Sequence, residues 1–366
     1  MGSLDSYTLE ELIRQTLVVG FEGITPPPAL VDLVARQGLG GVFLFRRNVD
    51  TPEQIANLCA RFQEAALASP KGLPLFVGID HEGGRVTRLS EPFTRFPPAA
   101  QLGKKKSPDL CREMGRVMAR ELRVVGINMN CAPVLDVEGD PRNPVLGDRV
   151  FGGDAELVSE LGIQVIRGLQ GDGVIAVGKH FPGHRAITVD PHLDLPTSPL
   201  GLEDLAAVDF TPFRRAIAEG VAALMTAHVL YPRIEPERPA TLSSRFFDGM
   251  LRQDLLFSGL VVTDDLGMGA IARHYSVENA AVQAIAAGSD ILLLCQGWEK
   301  LEDVVEALRR AVDEGKITQE RLRKITGRIL GVKDKFLLPY RGPDLQAIPE
   351  VLGCPEHAAV ARQAWS

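Results

Sequence analysis

The sequence predicts an α/β protein folded as a single-domain (β/α)8 TIM-type barrel. Eight short runs along the chain are apolar without alternation, as in strands covered on both faces of a parallel sheet. Amphipathic stretches with helix caps separate them, and polar residues close most of the runs, as the active rim of such a barrel requires. A doubly wound open sheet is the alternative. No GxGxxG or GxxxxGK[ST] follows the first run, which counts against a nucleotide fold.

The runs are, in order, Thr16–Phe21, Gly40–Phe45, Pro74–Asp80, Ile127–Val134, Val174–His180, Ala222–Val229, Leu260–Asp265 and Asp290–Leu294. Before the fifth, Asp154 caps a helix whose Leu157, Leu161, Val165 and Leu169 form one apolar stripe, with Gly171 as its left-handed stop. Before the sixth, Pro212 lies near a helix start, Phe213 and Ile217 face inward, and Gly220 ends the helix. Residues 1–340 form the barrel domain, and 341–366 are a C-terminal extension with a Pro-containing segment and a short helical pattern.

Composition removes several partners. A net charge of -7 over 366 residues leaves no excess of Lys and Arg for nucleic acid or an anionic membrane. The basic cluster Lys104–Lys106 reads as a solvated loop or helix start. No apolar run approaches a membrane span, and the N-terminus carries no basic segment followed by an apolar core. Cys59, Cys111, Cys131, Cys295 and Cys354 are odd in number and have no CxxC spacing, which points to reduced thiols and a cytoplasmic protein.

Polar residues at strand ends are Asp80, Asp136, Lys179 with His180, His228, and Asp264 with Asp265. Together they imply a polar cavity for a polyhydroxylated or charged small molecule. The stretch "VGKHFPGHRAITVDPHLDLP" holds three of the chain's 7 histidines, so a metal has to be weighed. Pro182 and Gly183 disfavour a helix that would bring His180 and His184 together, so no metal is expected. His184 is read as holding its own turn. An imidazole both gives and takes a proton near neutrality, and Asp190 stands two residues from His192 to orient it.

These residues carry a resemblance. "KHFPGHRAITVDPH", "IDHEGGRVTRL" and "VVTDDLGMGAI", with "APVLDV", "GDRVFG" and "MTAHVLYP" in the same order, resemble glycoside hydrolase family 3, and most closely its bacterial β-N-acetylglucosaminidases. The resemblance covers about Leu9 to about Leu338. It implies a retaining glycosidase with Asp264 as nucleophile, His192 as general acid/base and Asp190 as its partner. It further implies that Asp80, Arg88, Arg149, Lys179 and His180 hold the terminal sugar, and that no cofactor takes part. The implied substrate is a small soluble glycoside ending in β-linked N-acetylglucosamine, such as a peptidoglycan recycling fragment, cleaved one sugar at a time. Alternation along a strand lets only one of Asp264 and Asp265 face the sugar.

Two departures from the pattern stand out: Arg185 replaces a glycine, and Pro191 a serine. Arg185 could reach a substrate anion, and Pro191 stiffens the loop or removes a tethering hydrogen bond. Arg85 and Asp136 are weaker binding candidates, Glu82–Gly84 reads as a tight turn, and Asp148 is the rim partner open to Arg149. A phosphorylase, a β-glucosidase or β-xylosidase of the same family, a Schiff-base aldolase using Lys179, and a non-catalytic sugar-binding protein stay open as alternatives.

Overall fold

A computed structural model describes residues 4–366; the first three residues lie outside the described residues. The strands are β1 (Leu17–Val19), β2 (Gly41–Leu44), β3 (Phe76–Ile79), β4 (Met129–Asn130), β5 (Ile175–Phe181), β6 (Ala223–Thr226), β7 (Leu260–Asp265) and β8 (Ile291–Leu294). All pair in parallel in sequence order, and β1 pairs with β8 to close the barrel. Each lies inside one of the runs read from the sequence or overruns it by a single residue. The eight are buried along almost their whole length, because helices cover the outside and side chains fill the inside.

Two registers slip, between Gly178 and Phe181 on β5 and between Val262 and Asp265 on β7. Both irregularities lie at the C-terminal ends of their strands, where a bulge re-aims side chains. The strands concerned carry Lys179, His180 and Asp264.

Helices connect the strands, with a π-helical segment, Arg245–Asp254, between β6 and β7. Asp154 caps Ala155–Gly171 by accepting from the Glu156 amide, and Leu161, Val165 and Leu169 are buried while Leu157 is half-buried. That helix runs one residue further than expected: Gly173, at φ +81°, takes the left-handed conformation instead of Gly171. Pro212 is the third residue of Phe210–Ala218 and follows a π-helical stretch, Leu205–Asp209. The three lysines end the helix Ala99–Lys105, with Lys106 left-handed at its C-cap, where cations complement the helix dipole.

The C-terminal extension docks on the barrel. Glu121, buried on the helix Pro108–Val124, accepts from Thr94, from the Gly353 amide and from His357 Nδ1 at 2.8 Å. Trp365 Nε1 donates to the Arg95 carbonyl. All five cysteines are unpaired, and four are buried.

At the opposite end of the barrel from the polar rim, Lys333 of the helix Gln319–Leu337 is fully buried. Its Nζ donates to Gln15 Oε1 at 2.9 Å and lies over the Phe76 ring. Burial pulls its pKa down to about 7, against about 10.4 for an unfolded lysine. Between those values the unfolded chain binds the extra proton, so this site's contribution to stability rises with pH from about 7 to about 10. Lys333→Met is therefore expected to raise the unfolding free energy by about 2 kcal/mol at pH 6, a gain that fades toward pH 10. Denaturant unfolding of both proteins at several pH values checks this.

Candidate active site

A small cavity of about 110 Å³ opens at the C-terminal ends of the strands. Its polar lining comes from β3 and the turn after it (Asp80, Glu82, Arg88), β5 (Lys179, His180), β7 (Asp264), and the loops that hold Arg149, His184 and His192. Met225, Met268, Val86 and Val145 supply apolar wall.

Lys179 is the centre of the charge network. Its side chain is 3% exposed, and its ammonium lies 2.7 Å from Asp80 Oδ1 and 2.6 Å from Glu82 Oε1. Arg149 binds the same Glu82 through two parallel bonds, Nε to Oε2 at 2.9 Å and Nη2 to Oε1 at 2.7 Å. Burial works against the charged form of each group, but the opposite charges outweigh it: Glu82 is held at about 2, and the Lys179 and Arg149 values are raised. Arg88 Nη2 approaches Asp80 Oδ2 at 3.8 Å.

This corrects two expectations. Arg149 pairs with Glu82, while Asp148 pairs with Arg85, which also binds the Val145 and Leu146 carbonyls. Glu82 is more than a turn residue. Asp80 and Glu82 are two apart in extended chain, so both carboxylates point the same way, and that spacing was the signal available in the sequence.

Asp136, fully buried after β4, organises the β5 end. Its Oδ2 accepts from the His180 amide at 3.1 Å and from His180 Nδ1 at 2.7 Å, and its Oδ1 accepts from the His184 amide at 2.7 Å. A carboxylate only accepts, so His180 Nδ1 carries the proton and Nε2 is left as an acceptor. Burial, with His184 alongside, lowers the His180 pKa to about 4, so the ring is neutral. The His180 and His184 rings stand 4.5 Å apart, centroid to centroid. Thus Pro182 and Gly183 do not separate them: the turn itself folds the rings together. His184 holds the turn through its backbone, its amide bonded to Asp136 and its carbonyl to Asn143 Nδ2, rather than through its ring. Asp136, His180 and His184 are also the one set of three that could hold a metal among the described residues. Both Asp136 oxygens are already committed to N–H donors, which fits a hydrogen-bonded brace better than a metal ligand.

Asp264 and Asp265 face different ways. Asp264 lines the cavity. Asp265 Oδ1 accepts from the Gly267 and Cys295 amides, and its Oδ2 from Gln296. Burial opposes the Asp264 charge, but the His228 and His180 rings, the Asp265 amide and Lys179 outweigh it and hold the carboxyl below its ordinary range. His228 does not line the cavity; its ring bonds to Thr241 Oγ1 and to the Asp265 carbonyl.

His192 lies on the loop after β5, its side chain 65% exposed, with Nδ1 at 2.7 Å from Asp190 Oδ1 and its amide donating to the same oxygen at 2.9 Å. The Nδ1 proton thus points at Asp190 and Nε2 is free. Pro191 does not untether the loop. Its carbonyl accepts from the Ala270 amide, and that of His192 accepts from Gly269. Arg185 does not reach the cavity; it turns to Asp209.

The family model of the glycosyl hydrolase family 3 N terminal domain matches residues 8–332. The chain belongs to glycosyl hydrolase family 3. It is 39% identical to a "Beta-hexosaminidase" of Nitrosomonas eutropha over 77% of this chain and 82% of that one. A family 3 β-N-acetylglucosaminidase structure from Paenibacillus sp. superposes with a TM-score of 0.94 at 40% identity, over 98% of this chain and 68% of that one. NagZ from Neisseria gonorrhoeae, solved with N-trifluoroacetyl-D-glucosamine, superposes with a TM-score of 0.78 at 30% identity, over 96% of this chain and 97% of that one.

Because Glu82 compensates two buried cations in this family 3 barrel, Glu82→Gln is expected to lower stability by about 3 kcal/mol. It should also raise KM, because Lys179 and Arg149 line the cavity and lose their common anchor. Unfolding curves and KM on a chromogenic N-acetylglucosaminide measure the two effects.

Proposed function

We propose that this chain is a retaining exo-β-N-acetylglucosaminidase acting on small soluble glycosides, with peptidoglycan recycling fragments as the natural class. The observation that carries the reading is a charged carboxylate without an ion-pair partner among the described residues, Asp264, and an Asp-paired imidazole, His192, lining one small polar cavity. Relatives that are β-hexosaminidases by name supply the sugar. Unpaired, buried cysteines support a cytoplasmic site of action. No helix among the described residues is long and apolar enough to cross a membrane.

In this mechanism Asp80, Arg88, Arg149, Lys179 and His180 hold the terminal sugar through its hydroxyls. The Asp264 carboxylate forms a bond to the anomeric carbon as the glycosidic C–O bond breaks, and charged His192 gives its Nε2 proton to the departing oxygen. Asp190 stabilises the imidazolium that makes this transfer possible. In the second step neutral His192 takes a proton from water, whose oxygen attacks the same carbon and releases Asp264. Two inversions leave the β configuration. The small cavity suits one sugar at a time, and no metal is used.

Hydrolysis of p-nitrophenyl β-N-acetylglucosaminide should exceed that of the β-glucoside and β-xyloside, with the β product first by NMR. Preference for an unacetylated sugar, or an α product, would overturn the reading. Asp264→Ala should lower turnover by more than about 10⁴-fold, and a mechanism-based fluorosugar should label Asp264 in the intact protein; an adduct on Asp265 would reassign the nucleophile. His192→Ala should damage poor leaving groups by about 10²-fold or more while sparing nitrophenolates, which depart without a proton. Chelators should leave the rate unchanged.

A further inference from the structure

The loop carrying Asp190 and His192 leaves the barrel through a corner built around Arg185. The Arg185 guanidinium reaches Asp209 Oδ2 with Nε at 3.0 Å and Nη2 at 2.9 Å. Asp209 ends the π-helical stretch Leu205–Asp209, and its side chain is 1% exposed. The Arg185 carbonyl accepts from the Asp140 amide at 3.0 Å, so both its backbone and its side chain are held.

Two glycines leave room for this packing. A Cβ on Gly139 would stand 2.2 Å from Arg185 Cγ. A Cβ on Gly183, which sits at φ +135°, would stand 2.8 Å from Asp209 Oδ1. Tyr231 closes the corner by donating its hydroxyl to the Gly183 carbonyl. After Arg185 only Ile187 is buried before the chain emerges at Thr188 and Val189 and reaches Asp190. The far end of the loop is tied by the Gly269 and Ala270 amides. Arg185 therefore fixes the near end of a short span whose other end is already fixed.

We propose that Arg185 is a positioning residue: its pair with buried Asp209 anchors the start of the acid/base loop and so presents His192 to the leaving-group oxygen. The inference rests on the reading of His192 as general acid/base given above. It explains why an arginine side chain here points away from the cavity and toward a buried carboxylate.

The test compares leaving groups. Arg185→Gly should lower kcat on an alkyl β-N-acetylglucosaminide by about 10- to 100-fold, because a misplaced proton donor fails where a proton is needed. On the nitrophenyl substrate it should change kcat less than about threefold. Arg185→Lys should restore part of the loss by keeping a cation on Asp209. Arg185→Gly leaves a buried carboxylate unpaired, so the Arg185→Gly/Asp209→Asn double variant, neutral at this corner, is measured in parallel and should show the same split. Hydrogen–deuterium exchange over residues 186–192 should quicken in both. Equal losses on the two substrates, or no loss on either, would overturn the proposal wherever His192→Ala itself shows the split. If His192→Ala shows no split, the acid/base reading fails first, and the proposal with it.

Discussion

Two long cations stand buried at the mouth of an apolar barrel, and they can do so because one carboxylate faces both. Without Glu82, Arg149 would lose its bidentate carboxylate and Lys179 one of its two, and an uncompensated buried charge costs several kcal/mol. With it, the pair becomes a rigid fork. Lys179 keeps its ammonium on Asp80 as well, so the β3 and β5 ends are tied across the barrel mouth. The remaining features of the site hang on that tie: Arg149 is drawn in from the loop after β4, Arg88 approaches Asp80 from the far side, and Asp264 finds a cation nearby.

A second brace works by hydrogen bonds instead of ion pairs. Asp136 holds the His180 amide, the His180 ring and the His184 amide at once, and so shapes the turn that leads into the loop of Asp190 and His192. The two braces divide the labour. The ionic one presents charge to the cavity; the hydrogen-bonded one fixes the His180 tautomer and leaves Nε2 as an acceptor, while burial and the neighbouring His184 keep the ring neutral against the pull of Asp136.

The barrel was legible because parallel strands covered on both faces leave an unambiguous trace of unbroken apolar runs, and the polar residues ending them marked the rim. Strand ends were less legible: β4 forms a regular ladder over two residues of an eight-residue run, and after Cys131 the chain touches the sheet again only at an isolated bridge between Val134 and Lys179. Which residues line the cavity was legible through motif and alternation, as with Asp264 against Asp265. Pairings were not. Sequence neighbours suggested Arg149 with Asp148, but a bidentate bond to Glu82, 67 residues away, wins because both groups are buried there and Asp148 is not. The His180–His184 contact escaped for a similar reason. Helical spacing is only one way to bring residues four apart together, and a proline–glycine turn is another.

The departures from the family pattern show how a sequence-level surprise resolves once neighbours are known. Arg185 suggested a ligand for a substrate anion, since charge at a catalytic loop invites that reading. Its position instead answers a local electrostatic demand: Asp209 is buried, burial raises its pKa to about 6, and the guanidinium alongside opposes that rise. Pro191 likewise costs the loop an amide, but the loop's far end is held through carbonyls, which proline retains. Arg185 therefore acts on how the loop is held, and Pro191 keeps the loop's carbonyl anchor while adding to the cavity wall. In this barrel Asp80, Lys179, His180 and Asp264 stand on or beside strand ends fixed by the closed sheet, whereas His192 stands on a span secured by a few local bonds. On the proposed mechanism the precision of His192 rests on those bonds, so the loop is where sequence change has room to tune the leaving group without disturbing the strand-end groups.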